Sequence, residues 1–228
     1  MYINSNAWIW ILMIGVMVLS LLVQMRLKSR FAKYSEIPTS LTGADVASRM
    51  LQAHGIRDVN IVSIEGQLTD HYNPATRTVN LSHDVYYGRS VAAAAVAAHE
   101  CGHVIQHANG YAPLKLRSAL VPVVSFAGNV VSWVLLAGVL LINIFPQLIW
   151  VGIGLFALTV LFSFITLPVE INASARAVRW LDSAGIVSYE TKPMAQDALK
   201  WAAYTYVIAA IGSLATLLYY ISLANRRN

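Results

Sequence analysis

Apolar positions along the chain gather into four long runs: about Ala7–Val23, Ala119–Ile144, Leu148–Leu167 and Ala202–Leu223. A helix that crosses a bilayer needs roughly 20 apolar residues, with a range of about 17–25, so each run predicts a membrane span. Between the first and second runs lies a polar block in which the periodicity changes. Ala44–His54 reads as a helix capped by Thr42 and stopped by Gly55. Val59–Ile64, Gln67–Tyr72 and Thr78–Leu81 read as strands, the last two flanking turn chemistry at Asn73-Pro74-Ala75-Thr76. Ser90 can cap a helix from Val91 to about His107. Beyond the third run, Asn172–Ala184 predicts a helix ended by Gly185. Pro193 then sits where a first-turn proline belongs, in a helix that continues through Trp201 into the last run.

The expected fold class is a mainly α membrane protein, with about four transmembrane helices fused to a small α+β block. The expected segments are an N-terminal anchor at 1–24, the block at 25–117, a transmembrane hairpin at 118–168, a polar segment at 169–201 and a last span at 202–228. Composition agrees: 57% of residues are hydrophobic and 12% charged, against about 25% charged in soluble domains. A cleaved signal peptide carries its positive charge ahead of the apolar region. Here Arg26, Lys28, Arg30 and Lys33 follow it, which predicts an uncleaved anchor with its N-terminus outside. The positive-inside rule then puts residues 24–117 and 168–201 in the cytoplasm. On that arrangement 14 of the 16 Lys and Arg lie inside, leaving Arg226 and Arg227 as the two that fit poorly. The net charge of +5 is thus a topology signal, and no nucleic-acid partner is expected, since no aromatic-interleaved basic patch accompanies it. A single cysteine, Cys101, excludes an internal disulfide and agrees with a reducing compartment.

The chemistry concentrates in His99-Glu100-Cys101-Gly102-His103. Histidines at i and i+4 share one helix face, so both imidazoles can reach one zinc ion. Glu100 projects beside the metal, where it can take a proton from water that zinc activates and later pass it to the departing amine. The run Val91–Ala98 is small and apolar, which suits a packed helix whose buried polar groups need partners. Catalytic zinc sites keep three protein ligands. Gln106 and Asn109 occupy the positions where metzincins have a glycine and a third histidine, which excludes that class. Glu170, at the mouth of the third span, is the preferred third ligand, because an acidic residue there needs a metal or a partner such as Arg176. Asp182, Glu190 and Asp197 are the alternatives. His107 and Cys101 point elsewhere on the helix and are expected to bond or pack rather than ligate.

These residues resemble the bacterial neutral zinc metallopeptidases of the YugP-like membrane family. The resemblance rests on Leu68-Thr69-Asp70-His71-Tyr72-Asn73-Pro74, on Thr78-Val79-Asn80-Leu81-Ser82, on the helix from Ala97 to His107 and on Leu167–Ser174. It implies a gluzincin-like cytoplasmic block, Zn2+ held by His99, His103 and Glu170, and Glu100 as the catalytic base. Many gluzincins place an aspartate four residues after the glutamate ligand, to orient the first histidine. Here that position is Ser174, which can still hydrogen-bond an imidazole but cannot stabilise it electrostatically, so Asn172 and Asp70 are candidates for that support. His71 and Tyr72 are candidates for stabilising the oxyanion or lining the cleft, and the strands around Asn73-Pro74 offer an edge to an extended peptide.

The expected activity is endopeptidase action on membrane or membrane-proximal proteins at the cytoplasmic face of the plasma membrane. A zinc-binding scaffold or chaperone-like partner without catalysis is the competing class. Protein or peptide substrate and lipid are the expected partners, and small residues such as Gly128, Gly138, Gly152 and Gly154 leave a membrane-protein partner or a second copy open. An intramembrane protease is disfavoured. The apolar run before His99 is too short for a span, and Gln106, His107 and Asn109 follow it closely.

Overall fold

The structure, a computed structural model, describes residues 7–225. Arg226 and Arg227 lie outside the described residues. Among the described residues, seven helices and a three-stranded sheet run in the order α1 (Ala7–Ser35), α2 (Gly43–Ala53), β1 (Asn60–Ile64), β2 (His71–Asn73), β3 (Thr78–Ser82), α3 (His83–Tyr86), α4 (Val91–Ala108), α5 (Ala112–Leu140), α6 (Gln147–Ser183) and α7 (Lys192–Asn225). Helices α1, α5, α6 and α7 are long and apolar enough to cross a membrane. Helices α1, α6 and α7 extend past the apolar runs that predict them, whereas α5 starts ahead of its run and ends at Leu140, short of Ile144. Pro168 lies inside α6 rather than ending it, so one helix carries both the third span and the Glu170 segment.

The chain divides into two compact units. The first contains the described residues up to Leu22, then Leu116–Leu167, then those from Thr205 on. Two of its glycines mark where α5 and α6 touch. A Cβ on Gly138 would lie 2.7 Å from the Ile149 backbone, and one on Gly152 would lie 2.7 Å from the Leu135 side chain. Gly128 and Gly154 face open space instead. Helices α1 and α7 meet through Trp10 and Tyr219, whose ring centroids are 5.9 Å apart. Trp133 and Phe126 are exposed, as expected of side chains that face lipid.

The second unit contains Val23–Lys115 and Pro168–Tyr204. Its core is an alanine-rich stripe of α4 packed against Val46, Met50 and Leu51 of α2, Val79 and Leu81 of β3, and Ala177 and Leu181 of α6. Helix α2 starts with a reciprocal capping box: Thr42 accepts from the Asp45 N–H, and the Asp45 carboxylate accepts from the Thr42 N–H. The sheet has the order β1-β3-β2, with β1 parallel and β2 antiparallel to β3. Asn73 Oδ1 accepts from the N–H of Ala75 and of Thr76, and this side-chain turn sets the β2–β3 reversal.

Gln67–Asp70 departs from the strand expectation. Gly66 and Leu68 take positive φ values of 99° and 58°, and the Thr69 hydroxyl folds back onto the carbonyls of Glu65 and Gly66. Extended geometry is broken there, so β2 keeps only His71–Asn73.

Helix α4 reaches α6 at a glycine. A Cβ on Gly102 would lie 2.7 Å from the Ala173 carbonyl oxygen and 3.1 Å from its Cα. Backbone rather than a flexible side chain stands in the way. In a helix interior Gly→Ala normally gains about 1 kcal/mol, whereas overpacking a close contact costs about 1–3 kcal/mol. Gly102→Ala is therefore expected to lower the thermal unfolding midpoint despite its better helix propensity. A midpoint equal to or above that of the wild type would show that α4 and α6 separate freely.

Candidate metal centre

The centre is built on α4 and α6. Ser90 accepts from the Ala93 N–H and starts α4. Seven of the eight residues of Val91–Ala98 are buried, so small side chains bring this helix deep into the unit before His99. On α6, Glu170 and Ser174 are four apart and share a face. Ala173 between them is the residue that Gly102 approaches.

This packing brings together one donor atom from each of His99, His103 and Glu170, all within 4.8 Å of one another. Glu170 Oε2 lies 3.2 Å from His99 Nε2 and 3.6 Å from His103 Nε2. Both Nδ1 atoms face away from that point. His99 Nδ1 is 3.1 Å from the Ser174 hydroxyl, and His103 Nδ1 is 3.0 Å from Gln106 Oε1. Two imidazoles and a carboxylate are the donor set that zinc takes in catalytic sites. Each imidazole is also braced at its other nitrogen, as metal-binding histidines usually are. The donor set fits the metal.

The electrostatics favour a cation here. Burial alone would push the His103 pKa down, but the Glu170 and Glu100 carboxylates outweigh it and hold the pKa above its usual value. Glu100 is 7% exposed, and its carboxylate makes no hydrogen bond or ion pair among the described residues.

The other sequence candidates fall elsewhere. Asp182 pairs with Lys192, and Asp197 with Arg30 and Tyr34. Arg176 donates to Asn172. The buried Cys101 thiol sits 3.6 Å from the Ala47 carbonyl, and burial pushes its pKa up. Asp70 does not orient a histidine; its carboxylate accepts from the Ser82 N–H and hydroxyl. Asn172 contacts Gln106 rather than His99, so Ser174 itself holds His99. Tyr72 reaches α4 through a 2.9 Å hydrogen bond between its hydroxyl and His107 Nδ1. Burial raises the Tyr72 pKa, keeping the phenol protonated at neutral pH. His71 bonds inside the sheet region, to the Thr69 carbonyl at 2.8 Å and to Asn80 at 3.2 Å.

Gln106 is the site residue that the sequence reading missed. It is fully buried and stands one turn after His103 on the same face. That spacing was its only available signal.

Residues 9–225 match the family described as "Putative neutral zinc metallopeptidase". The chain is 44% identical, over 212 residues, to the "Putative membrane protease YugP" of Bacillus subtilis (strain 168), covering 92% of this chain and 93% of that protein. No solved structure matches. With nearly the whole chain matched and a zinc-type donor set assembled at its motif, the protein belongs to this neutral zinc metallopeptidase family.

Proposed function

We propose that the protein is a membrane-embedded zinc endopeptidase that hydrolyses peptide bonds of membrane or membrane-proximal proteins. The convergence of His99, His103 and Glu170, with Glu100 next to His99 on α4, carries the reading. In it, His99 and His103 hold the metal through Nε2, and Glu170 supplies the third ligand. Zinc, when bound, supplies Lewis-acid polarisation of the scissile carbonyl and acidifies water. Glu100 takes the proton of the attacking water and delivers it to the leaving amine. Tyr72 donates its phenolic hydrogen to the developing oxyanion, and its bond to His107 holds it against α4. His71 braces the strand that carries Tyr72, through Asn80 of β3. The free edge of β2 offers an extended substrate a strand to pair with.

The catalytic block comprises 25–117 and 169–201 and is gluzincin-like. The spans are the anchor at 1–24, the hairpin at 118–168 and the last helix at 202–228. The site lies on the cytoplasmic side of the plasma membrane, a placement supported by the 14 Lys and Arg that fall in residues 24–117 and 168–201.

Casein cleavage and metal analysis of purified protein test the activity. Glu100→Gln is expected to retain zinc and to lose about 10²–10⁴-fold in turnover. Zinc in both proteins with cleavage by neither would favour a non-catalytic scaffold.

Tyr72→Phe is expected to lower kcat by about 10²–10³-fold, the usual loss for one oxyanion donor, with His71→Ala weaker in the same direction. Unchanged turnover in both variants would remove these residues from the chemistry.

Tyr189, which is 96% exposed, tests the topology. With the sole native thiol buried, Tyr189→Cys should react with an impermeant maleimide in inside-out vesicles and not in right-side-out ones. The opposite labelling would place the site on the outer face.

A further inference from the structure

Two side chains, Gln106 and Asn172, connect His103 to the Arg176 guanidinium through hydrogen bonds whose directions can be deduced one from the next. Arg176 has donors only, and its Nε lies 2.7 Å from Asn172. The Asn172 atom facing it must therefore be the oxygen. Gln106 lies 3.1 Å from that same oxygen and 2.7 Å from the Val169 carbonyl oxygen. Two acceptors demand a donor, so the Gln106 amide nitrogen faces α6. Its oxygen is then left facing His103 Nδ1 at 3.0 Å. An oxygen there accepts, so Nδ1 must carry the hydrogen.

His99 is held differently. A hydroxyl both donates and accepts, so Ser174, at 3.1 Å from His99 Nδ1, imposes no tautomer. The two histidines of one motif are thus unequally prepared.

We propose that Gln106 is a positioning residue: oriented by Val169, Asn172 and Arg176, it fixes His103 as the Nδ1–H tautomer and leaves Nε2 free to bind the metal. The inference rests on the zinc reading above and adds how that site is pre-set. The carbonyl of Val169 is part of the device, because a backbone acceptor cannot flip. Gln106 is fully buried and cannot exchange these partners for water. Reversing its amide would face the amide nitrogen with the Nδ1 hydrogen and leave two acceptors facing an oxygen, a costly arrangement in a buried site.

The test combines histidine 15N chemical shifts with zinc affinity measured by chelator competition, on the full-length protein in detergent. His103 signals are identified by their loss in His103→Gln. Wild type is expected to show His103 protonated at Nδ1 and ligating zinc through Nε2. Gln106→Met is expected to weaken zinc binding by about 10–100-fold, the usual effect of removing a partner of a metal-bound histidine. Asn172→Asp still offers oxygen to both donors and should bind zinc nearly as wild type does. Arg176→Met, which frees the Asn172 amide to turn, should fall between the two. Wild-type His103 ligating through Nδ1 would overturn the proposal, whether or not the Gln106 variant folds. So would unchanged affinity in Gln106→Met when His103→Gln has lost zinc. Unchanged zinc affinity in His103→Gln would overturn the zinc reading itself, and this proposal with it.

Discussion

The site depends on how closely two helices can approach. Gly102 sits between His99 and His103, and Ala173 sits between Glu170 and Ser174. At the crossing the backbones come so near that a Cβ on Gly102 would meet the Ala173 carbonyl at 2.7 Å. Glutamate and histidine side chains have fixed reach, so their meeting point is set by the separation of the helix axes. A side chain at residue 102 would push α4 outward and stretch the 3.2 Å and 3.6 Å spacings from Glu170 to both imidazoles together. The alanines before His99 serve the same end, since they let α4 sink between α2, β3 and α6.

Close approach has an electrostatic consequence. It takes two imidazoles and the Glu170 carboxylate largely out of water, which is unfavourable unless each polar atom finds a partner. Helix α6 supplies most of those partners. Glu170 faces both Nε2 atoms, Ser174 meets His99, and the Val169 carbonyl and Asn172 hold Gln106 against His103. The result is a buried, negatively biased point lined by two nitrogens and an oxygen, a place where a divalent cation relieves the cost of burial.

Much of this was legible in the sequence. Long apolar runs need only length to be read as spans, and all four appear as helices. Thr42, Gly55, Ser90 and Gly185 fall at the element boundaries their chemistry predicts, with Gly55 and Gly185 both in the left-handed region. The Gln67–Asp70 stretch was misread because Leu68 adopts a positive φ that its side chain gives no hint of. Histidine spacing, with the family resemblance, pointed to the three donors that the fold brings together. The bracing of those histidines was harder to read. Asp70 has the right chemistry to hold an imidazole but is committed to Ser82. Gln106 looks unremarkable until the Val169 carbonyl, 63 residues away in sequence, is known to stand opposite it. Contacts across helices are set by axial register, which periodicity does not encode.

Family membership, the four apolar helices and the donor set agree on a membrane zinc peptidase, and the metal's coordination is where they meet. X-ray absorption at the zinc edge on the purified protein reads that directly. The account predicts stoichiometric zinc with only nitrogen and oxygen neighbours at about 2.0–2.2 Å, two of them imidazole. The carboxylate contribution should be lost in Glu170→Ala. A sulfur neighbour at about 2.3 Å, such as the thiolate of the single cysteine, Cys101, would contradict it, and so would an unchanged spectrum in Glu170→Ala.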